Sequence, residues 1–116
     1  KVRPPFNIAN LSAKAALAAL ADQDFVKNSI EQNFDEMKRY EQEAQKYGIK
    51  VIDSYTNFIT YFFDSGKSSK EIADTLLKRG VIVRNLTSYE LNGIRITIGN
   101  KTQNDIFFEE FRKVYP

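Results

Sequence analysis

The chain has neither cysteine nor histidine in its 116 residues. Without cysteine there are no disulfides, no thiol nucleophile and no thiolate metal site. Without histidine the commonest general base and metal ligand is missing. Tryptophan is absent too, and there are only 3 prolines and 5 glycines. Charge of one sign is also lacking, because 17 basic and 15 acidic residues are interspersed for a net +2. That balance gives no basic field for nucleic acid. No apolar run approaches a membrane span, and no signal peptide is evident. The expected setting is cytoplasmic, with neither nucleic acid nor membrane as partner.

What is present is 42% hydrophobic residues in a length that suits a single domain. A chain of this size can bury a core without a metal or disulfide. It opens at Lys1 directly into Val-Arg-Pro-Pro, which reads as a piece of a longer protein.

Residues 1–10 carry two adjacent prolines that force an extended segment. Residues 11–47 read as helices. The first, over 11–21, is rich in alanine and capped by Asn10 or Ser12, and Asp22 ends it and caps the next. The second runs from about Asp24 to Tyr47, with Val26, Ile30, Phe34, Met37 and Ala44 on one stripe and Gly48 as its stop. Residues 49–116 alternate sheet and helix. Ile49–Asp53 is a short strand, and Asn57–Phe63 is the strongest strand signal, apolar on both faces as a central strand would be. Ser68 or Ser69 caps a helix over 70–79 with Ile72, Leu76 and Leu77 inward, and Gly80 stops it. A last helix begins at Thr102 or Asn104, with Ile106, Phe107, Phe111 and Val114 inward. The order α, α, β, β, α, β, β, α predicts an α+β two-layer domain. It has about four mainly antiparallel strands, and its helices share one face.

Residues 81–100 hold the features with most chemical content. They read as a strand, a polar loop ending at Asn92-Gly93, and a strand in which Ile94, Ile96 and Ile98 point one way and Arg95 and Thr97 the other. Arg84 is expected to end the first strand, so the hairpin can bring Arg84 and Arg95 to one mouth. Two planar forks of donors suit a carboxylate or phosphate. An arginine on the polar face of a one-sided strand is also an ordinary solvated residue. Gly66-Lys67-Ser68 lacks the first glycine of a phosphate loop, since Tyr61 stands in its place, and reads as a turn and cap. Acidic pairs such as Asp35-Glu36 and Glu109-Glu110 read as solvent-facing, which leaves no metal site and no catalytic residue in the chain.

Several of these segments together resemble the small domain of histidinol-phosphate aminotransferases. They are Val2-Arg3-Pro4-Pro5-Phe6-Asn7 before the alanine-rich helix, Thr56-Asn57-Phe58-Ile59, the Gly80-to-Arg84 run, and Gly93-Ile-Arg95-Ile-Thr-Ile-Gly99. The resemblance spans essentially all of residues 1–116, with 1–10 as a hinge segment. It implies the C-terminal domain of a fold-type-I enzyme dependent on pyridoxal 5'-phosphate. That enzyme transfers an amino group between L-histidinol phosphate and 2-oxoglutarate in histidine biosynthesis. By the same resemblance Arg95 and Arg84 bind the substrate's phosphate or carboxylate. Asn7 and Asn57 lie near the domain junction or substrate.

The Schiff-base lysine, the aspartate for the pyridine nitrogen and the ring-stacking aromatic belong to a missing N-terminal large domain. This piece alone is therefore expected to be inactive, and the parent to be a homodimer. Aromatic aminotransferases and threonine-phosphate decarboxylases resemble the same region. A stand-alone, non-enzymatic ligand-binding or interaction module is the alternative of another class.

Overall fold

In the computed structural model the described residues are 8–64 and 66–115. They fall into two units, one up to Glu31 and one from Gln32 onward. Residues 1–7 of the predicted hinge segment, including Asn7, lie outside the described residues, as does Ser65 in the expected turn, and Asn10 at the end of that segment is already helical.

The first unit is helical. Helix α1, Asn10–Ala21, follows Ala9, which makes no side-chain cap, so neither Asn10 nor Ser12 plays the expected role. Asp22 does cap the next helix, its carboxylate accepting from the Phe25 backbone N–H at 3.1 Å. None of the residues of α1 is buried.

Helix α2, Gln23–Lys46, continues into the second unit, where its buried residues are Glu36, Met37, Tyr40, Glu43 and Ala44. Only Met37 and Ala44 of the predicted stripe are among them; Val26, Ile30 and Phe34 are exposed. Two of the buried residues are carboxylates, which the pattern of apolar residues cannot reveal.

The second unit then runs β1 (Lys50–Val51), β2 (Phe58–Phe62), α3 (Ser69–Lys78), β3 (Arg84–Asn85), a 3₁₀ turn at Thr87–Tyr89, β4 (Gly93–Thr97) and α4 (Lys101–Val114). The sheet order is β1-β2-β4-β3, antiparallel throughout. This is the expected α+β arrangement, with β2 in an inner position. The first hairpin strand is shorter than expected and displaced, because Arg84 begins it rather than ending it.

Glycine and serine set the breaks. Gly48 and Gly80 end α2 and α3 at φ +64° and +84°, a region that L side chains disfavour. Ser68 caps α3 by accepting from the Glu71 N–H. The last helix begins at Lys101, just before the expected Thr102 or Asn104, and Asn100 caps it in a reciprocal box with Gln103.

One face of the sheet carries the core. Ile59, Tyr61 and Phe63 join Ile94, Ile96 and Ile98 against Tyr40, Leu76, Phe107, Phe108 and Phe111 from the helices. The aromatic rings interlock, with Phe107 stacked on Phe111 at 5.3 Å and Tyr40 4.5 Å from Phe108. Leu77 and Ile106 were expected inward but are 57% and 51% exposed. Phe108 and Asn104 take the inner positions on α4 instead. No described helix is long and apolar enough to cross a membrane.

The helices that form the core of the second unit pack on the core face of the sheet. The other face presents Phe58, Thr60 and Phe62, half-buried, beside exposed Arg95 and Thr97.

Candidate anion-binding site

The face opposite the core carries the predicted arginines. In the antiparallel register Arg84 of β3 pairs directly with Arg95 of β4, which in turn pairs with Thr60 of β2. Directly opposed residues project to the same side of a sheet, with Cβ atoms about 5 Å apart. The two guanidiniums therefore rise from adjacent positions, as the hairpin reading anticipated.

Their surroundings differ from those of the other described arginines. Arg39 pairs with Glu36 at 2.5 Å and also with Asp105, Arg79 pairs with Glu110, and Arg112 pairs with Glu43 at 2.5 Å. Among the described residues, Arg84 and Arg95 meet no carboxylate within ion-pair distance. Arg84 donates from Nη2 to the Tyr89 hydroxyl at 3.4 Å. The Arg95 guanidinium carbon lies 4.8 Å from the centre of the Phe58 ring. Two uncompensated cations on one row, Arg84 with one donor on Tyr89 and its other N–H groups unengaged by a carboxylate, can take an anion with at least two oxygens.

The strands that carry them are firmly placed. Gly93 opens β4 because a Cβ there would lie 2.7 Å from the Tyr61 carbonyl oxygen. Its neighbour Asn92 ties β4 to the start of α3. The Asn92 Oδ1 accepts from the Ser69 N–H at 2.8 Å, and Nδ2 donates to the carbonyls of Phe63, Asp64 and Lys67 at 3.0, 3.2 and 2.9 Å. Asn92 was read only as a turn residue in sequence. Its position before a glycine gives no hint of contacts nearly thirty residues away.

Asn57 is exposed just before β2, where its carbonyl accepts from the Ile98 N–H at 2.8 Å. The structure does not bring it into the Arg84–Arg95 row. Asn7 lies outside the described residues. A hollow of about 380 Å³ lined by Ile52, Tyr55, Phe58 and Thr60 adjoins the row through the Phe58 ring.

The acidic pairs read as solvent-facing are divided by the fold. Asp35 and Glu109 are exposed, but Glu36 is buried and the Glu110 side chain is only 16% exposed. Glu36 belongs to a network around Asn104. Asn104 accepts from the Tyr40 hydroxyl at 2.9 Å, donates to Glu36 at 2.8 Å, and exchanges two 2.9 Å bonds with the Gly99 backbone. Burial drives the hydroxyls of Tyr40 and Tyr61 well above the ordinary phenol range, so both stay protonated donors. Among the described residues no group of three or more carboxylates converges to hold a metal.

The model of the family "Aminotransferase class I and II" matches residues 1–111. A histidinol-phosphate aminotransferase of Campylobacter jejuni strain 81-176 is 56% identical over 114 residues, 98% of this chain and 31% of that protein. One from Campylobacter lari is 57% identical over 113 residues, 97% of this chain and 31% of the relative. The chain thus spans about a third of the length of the curated relatives it matches.

Solved structures share the fold. The histidinol-phosphate aminotransferase from Clostridium acetobutylicum superposes with a TM-score of 0.83 at 24% identity, covering 97% of this chain and 35% of that one. The enzyme of that name from Sinorhizobium meliloti, solved in complex with pyridoxal-5'-phosphate, gives 0.80 at 26% identity, covering 98% and 32%.

Proposed function

This chain belongs to the aminotransferase class I and II family, and on that premise we propose that residues 1–116 are the C-terminal small domain of a histidinol-phosphate aminotransferase. Its role is to hold the anionic end of the substrate, with Arg95 and Arg84 as the clamp. The reaction of the whole protein is amino transfer between L-histidinol phosphate and 2-oxoglutarate, giving imidazole-acetol phosphate and glutamate. The single observation that carries the assignment within this chain is the pairing of exposed Arg84 and Arg95 in register without a carboxylate partner among the described residues.

Arginine suits this task because it stays charged at every accessible pH and presents fixed in-plane donors. A phosphate monoester offers several acceptor oxygens to two such forks. The relatives are about three times the length of this chain. A large domain from the remainder would cover the half-buried Phe58 and Phe62 and bring the reacting centre to the arginines.

Pyridoxal 5'-phosphate is the cofactor this reading requires; when bound, it supplies the electron sink for moving the amino group. The described residues do not fit as its anchor. Every described lysine is exposed, whereas a Schiff-base lysine sits in a desolvated pocket. The cofactor therefore belongs with the large domain in this reading, and the complete enzyme would be a cytoplasmic homodimer.

The test is Arg95→Ala in the full-length protein. A charged hydrogen-bonded contact contributes about 1.5–3 kcal/mol, so KM for histidinol phosphate should rise roughly 10- to 100-fold. Unchanged kinetics with the phosphate substrate would remove Arg95 from the site.

A further inference from the structure

We propose that Phe58 and Tyr89 are positioning residues that fix the two guanidiniums before the anion arrives; this rests on the reading of Arg84 and Arg95 as the anion-binding pair. Phe58 stands diagonally from Arg95, since Thr60 is the direct partner of Arg95 and Phe58 that of Thr97. Long side chains reach diagonal neighbours across antiparallel strands. The Arg95 guanidinium carbon lies 4.8 Å from the centre of the Phe58 ring.

The contact has a chemical consequence. A phenyl ring offers no lone-pair acceptor, so a guanidinium held against it keeps its N–H groups for other partners. Phe58 can therefore hold Arg95 while the donor fork stays free for a ligand. A carboxylate in the same place would hold Arg95 by occupying that fork and would neutralise it.

Tyr89 acts on the neighbouring arginine through a single donor. The Arg84 Nη2 donates to its hydroxyl at 3.4 Å, leaving the remaining N–H groups of Arg84 available. The backbone that presents Tyr89 is itself constrained. Asn85 accepts from the Thr87 N–H at 3.1 Å and donates to its hydroxyl at 3.0 Å. After the 3₁₀ turn Glu90 adopts φ +60°, which returns the chain towards β4. Tyr89 is 60% exposed, so it is not required to fill a core.

Both contacts work against the freedom of a long side chain and the mutual repulsion of two cations. A clamp held in place loses less on binding than one ordered by its ligand. The common feature is that neither contact cancels charge, which any ion pair would do.

The experiment uses the full-length protein, with inorganic phosphate as the probe in calorimetric titrations and histidinol phosphate in steady-state kinetics. Phe58→Leu keeps an apolar side chain and removes the ring; Phe58→Trp restores an aromatic face. Tyr89→Phe removes only the hydroxyl. Phe58→Leu should weaken phosphate binding and raise KM about 3- to 10-fold with kcat nearly unchanged. Phe58→Trp should recover most of the loss, and Tyr89→Phe should weaken phosphate binding about 2- to 3-fold.

Equal phosphate affinity in wild type, Phe58→Leu and Tyr89→Phe overturns the proposal. So does equal weakening in Phe58→Leu and Phe58→Trp, which would mark Phe58 as a packing residue. If Phe58→Leu fails to fold, the surface substitution Tyr89→Phe decides. Phosphate binding unchanged by Arg95→Ala is a separate failure, that of the anion-binding reading, and takes the proposal with it.

Discussion

Arg84 and Arg95 face each other directly across β3 and β4, like charges at a position where unlike ones would stabilise the sheet. An isolated fold gains nothing from this arrangement. It would gain if an anion sat between the pair, as the proposed function requires.

Phosphate should therefore stabilise the chain beyond its effect as a salt. At tenfold excess over the dissociation constant, linkage gives about 1.4 kcal/mol, a rise in Tm of roughly 5 °C for a domain of this size. Thermal melts in phosphate and in chloride at matched ionic strength make the comparison. Identical midpoints would argue that no anion site exists.

Arg84→Glu should separate stability from binding. The new carboxylate faces Arg95 in register and should stabilise the fold by about 0.5 kcal/mol while abolishing phosphate binding. Denaturant unfolding and phosphate titration on the same variant measure the two effects. A variant that still binds phosphate normally would exclude Arg84 from the clamp.

Asn104→Ala should be among the most destabilising single changes. It strips partners from the Tyr40 hydroxyl, the Gly99 backbone and buried Glu36. Leaving the Tyr40 hydroxyl and the Gly99 backbone groups unpaired, with Glu36 held by Arg39 alone, should cost about 3 kcal/mol. Urea unfolding provides the value, and a loss below about 1 kcal/mol would show that water replaces the side chain.

Acid should weaken the fold through Glu43. Its hydrogen bond from Arg112, foremost, and that from Lys46 hold the buried Glu43 carboxyl below the usual carboxylate range. The folded pKa is depressed, so the unfolded state binds a proton first. The stabilisation is present above the ordinary glutamate value of about 4.3 and is lost as pH falls through the lower folded value. Glu43→Gln should be less stable than wild type at pH 7, with the gap narrowing below about pH 4. A gap that stays constant from pH 7 to pH 2 would mean that the Glu43 charge contributes nothing.

Much of the fold is legible locally. Ile94, Ile96 and Ile98 alternate with Arg95 and Thr97, and the structure buries the first set and exposes the second. Gly48, Gly80 and Ser68 punctuate the helices as their backbone and side-chain chemistry requires. The aromatic density of residues 57–63 marks the strand that takes an inner position in the sheet. In the candidate site, Arg84 and Arg95 are proposed from the strand–loop–strand pattern together with the family resemblance, since an arginine on a polar strand face is by itself an ordinary solvated residue. Phe58 could not be named, because an aromatic residue in a strand reads first as core. Asn104 and Glu36 were equally hidden. A polar residue on a helix reads as exposed until another element brings it a partner.

By itself, then, the sequence determined the elements, their order and the two faces of β4, since these follow from periods of 2 and 3.6 and from local backbone preference. Only the tertiary structure decided the register that sets Arg84 against Arg95 and the diagonal that puts Phe58 beneath Arg95. The same is true of the reach of Asn92 from β4 to α3 and of Asn104 from α4 to α2. Each is a contact between residues far apart in the chain or on different strands. Its geometry is fixed by how the whole sheet and its helices pack, which no local pattern encodes.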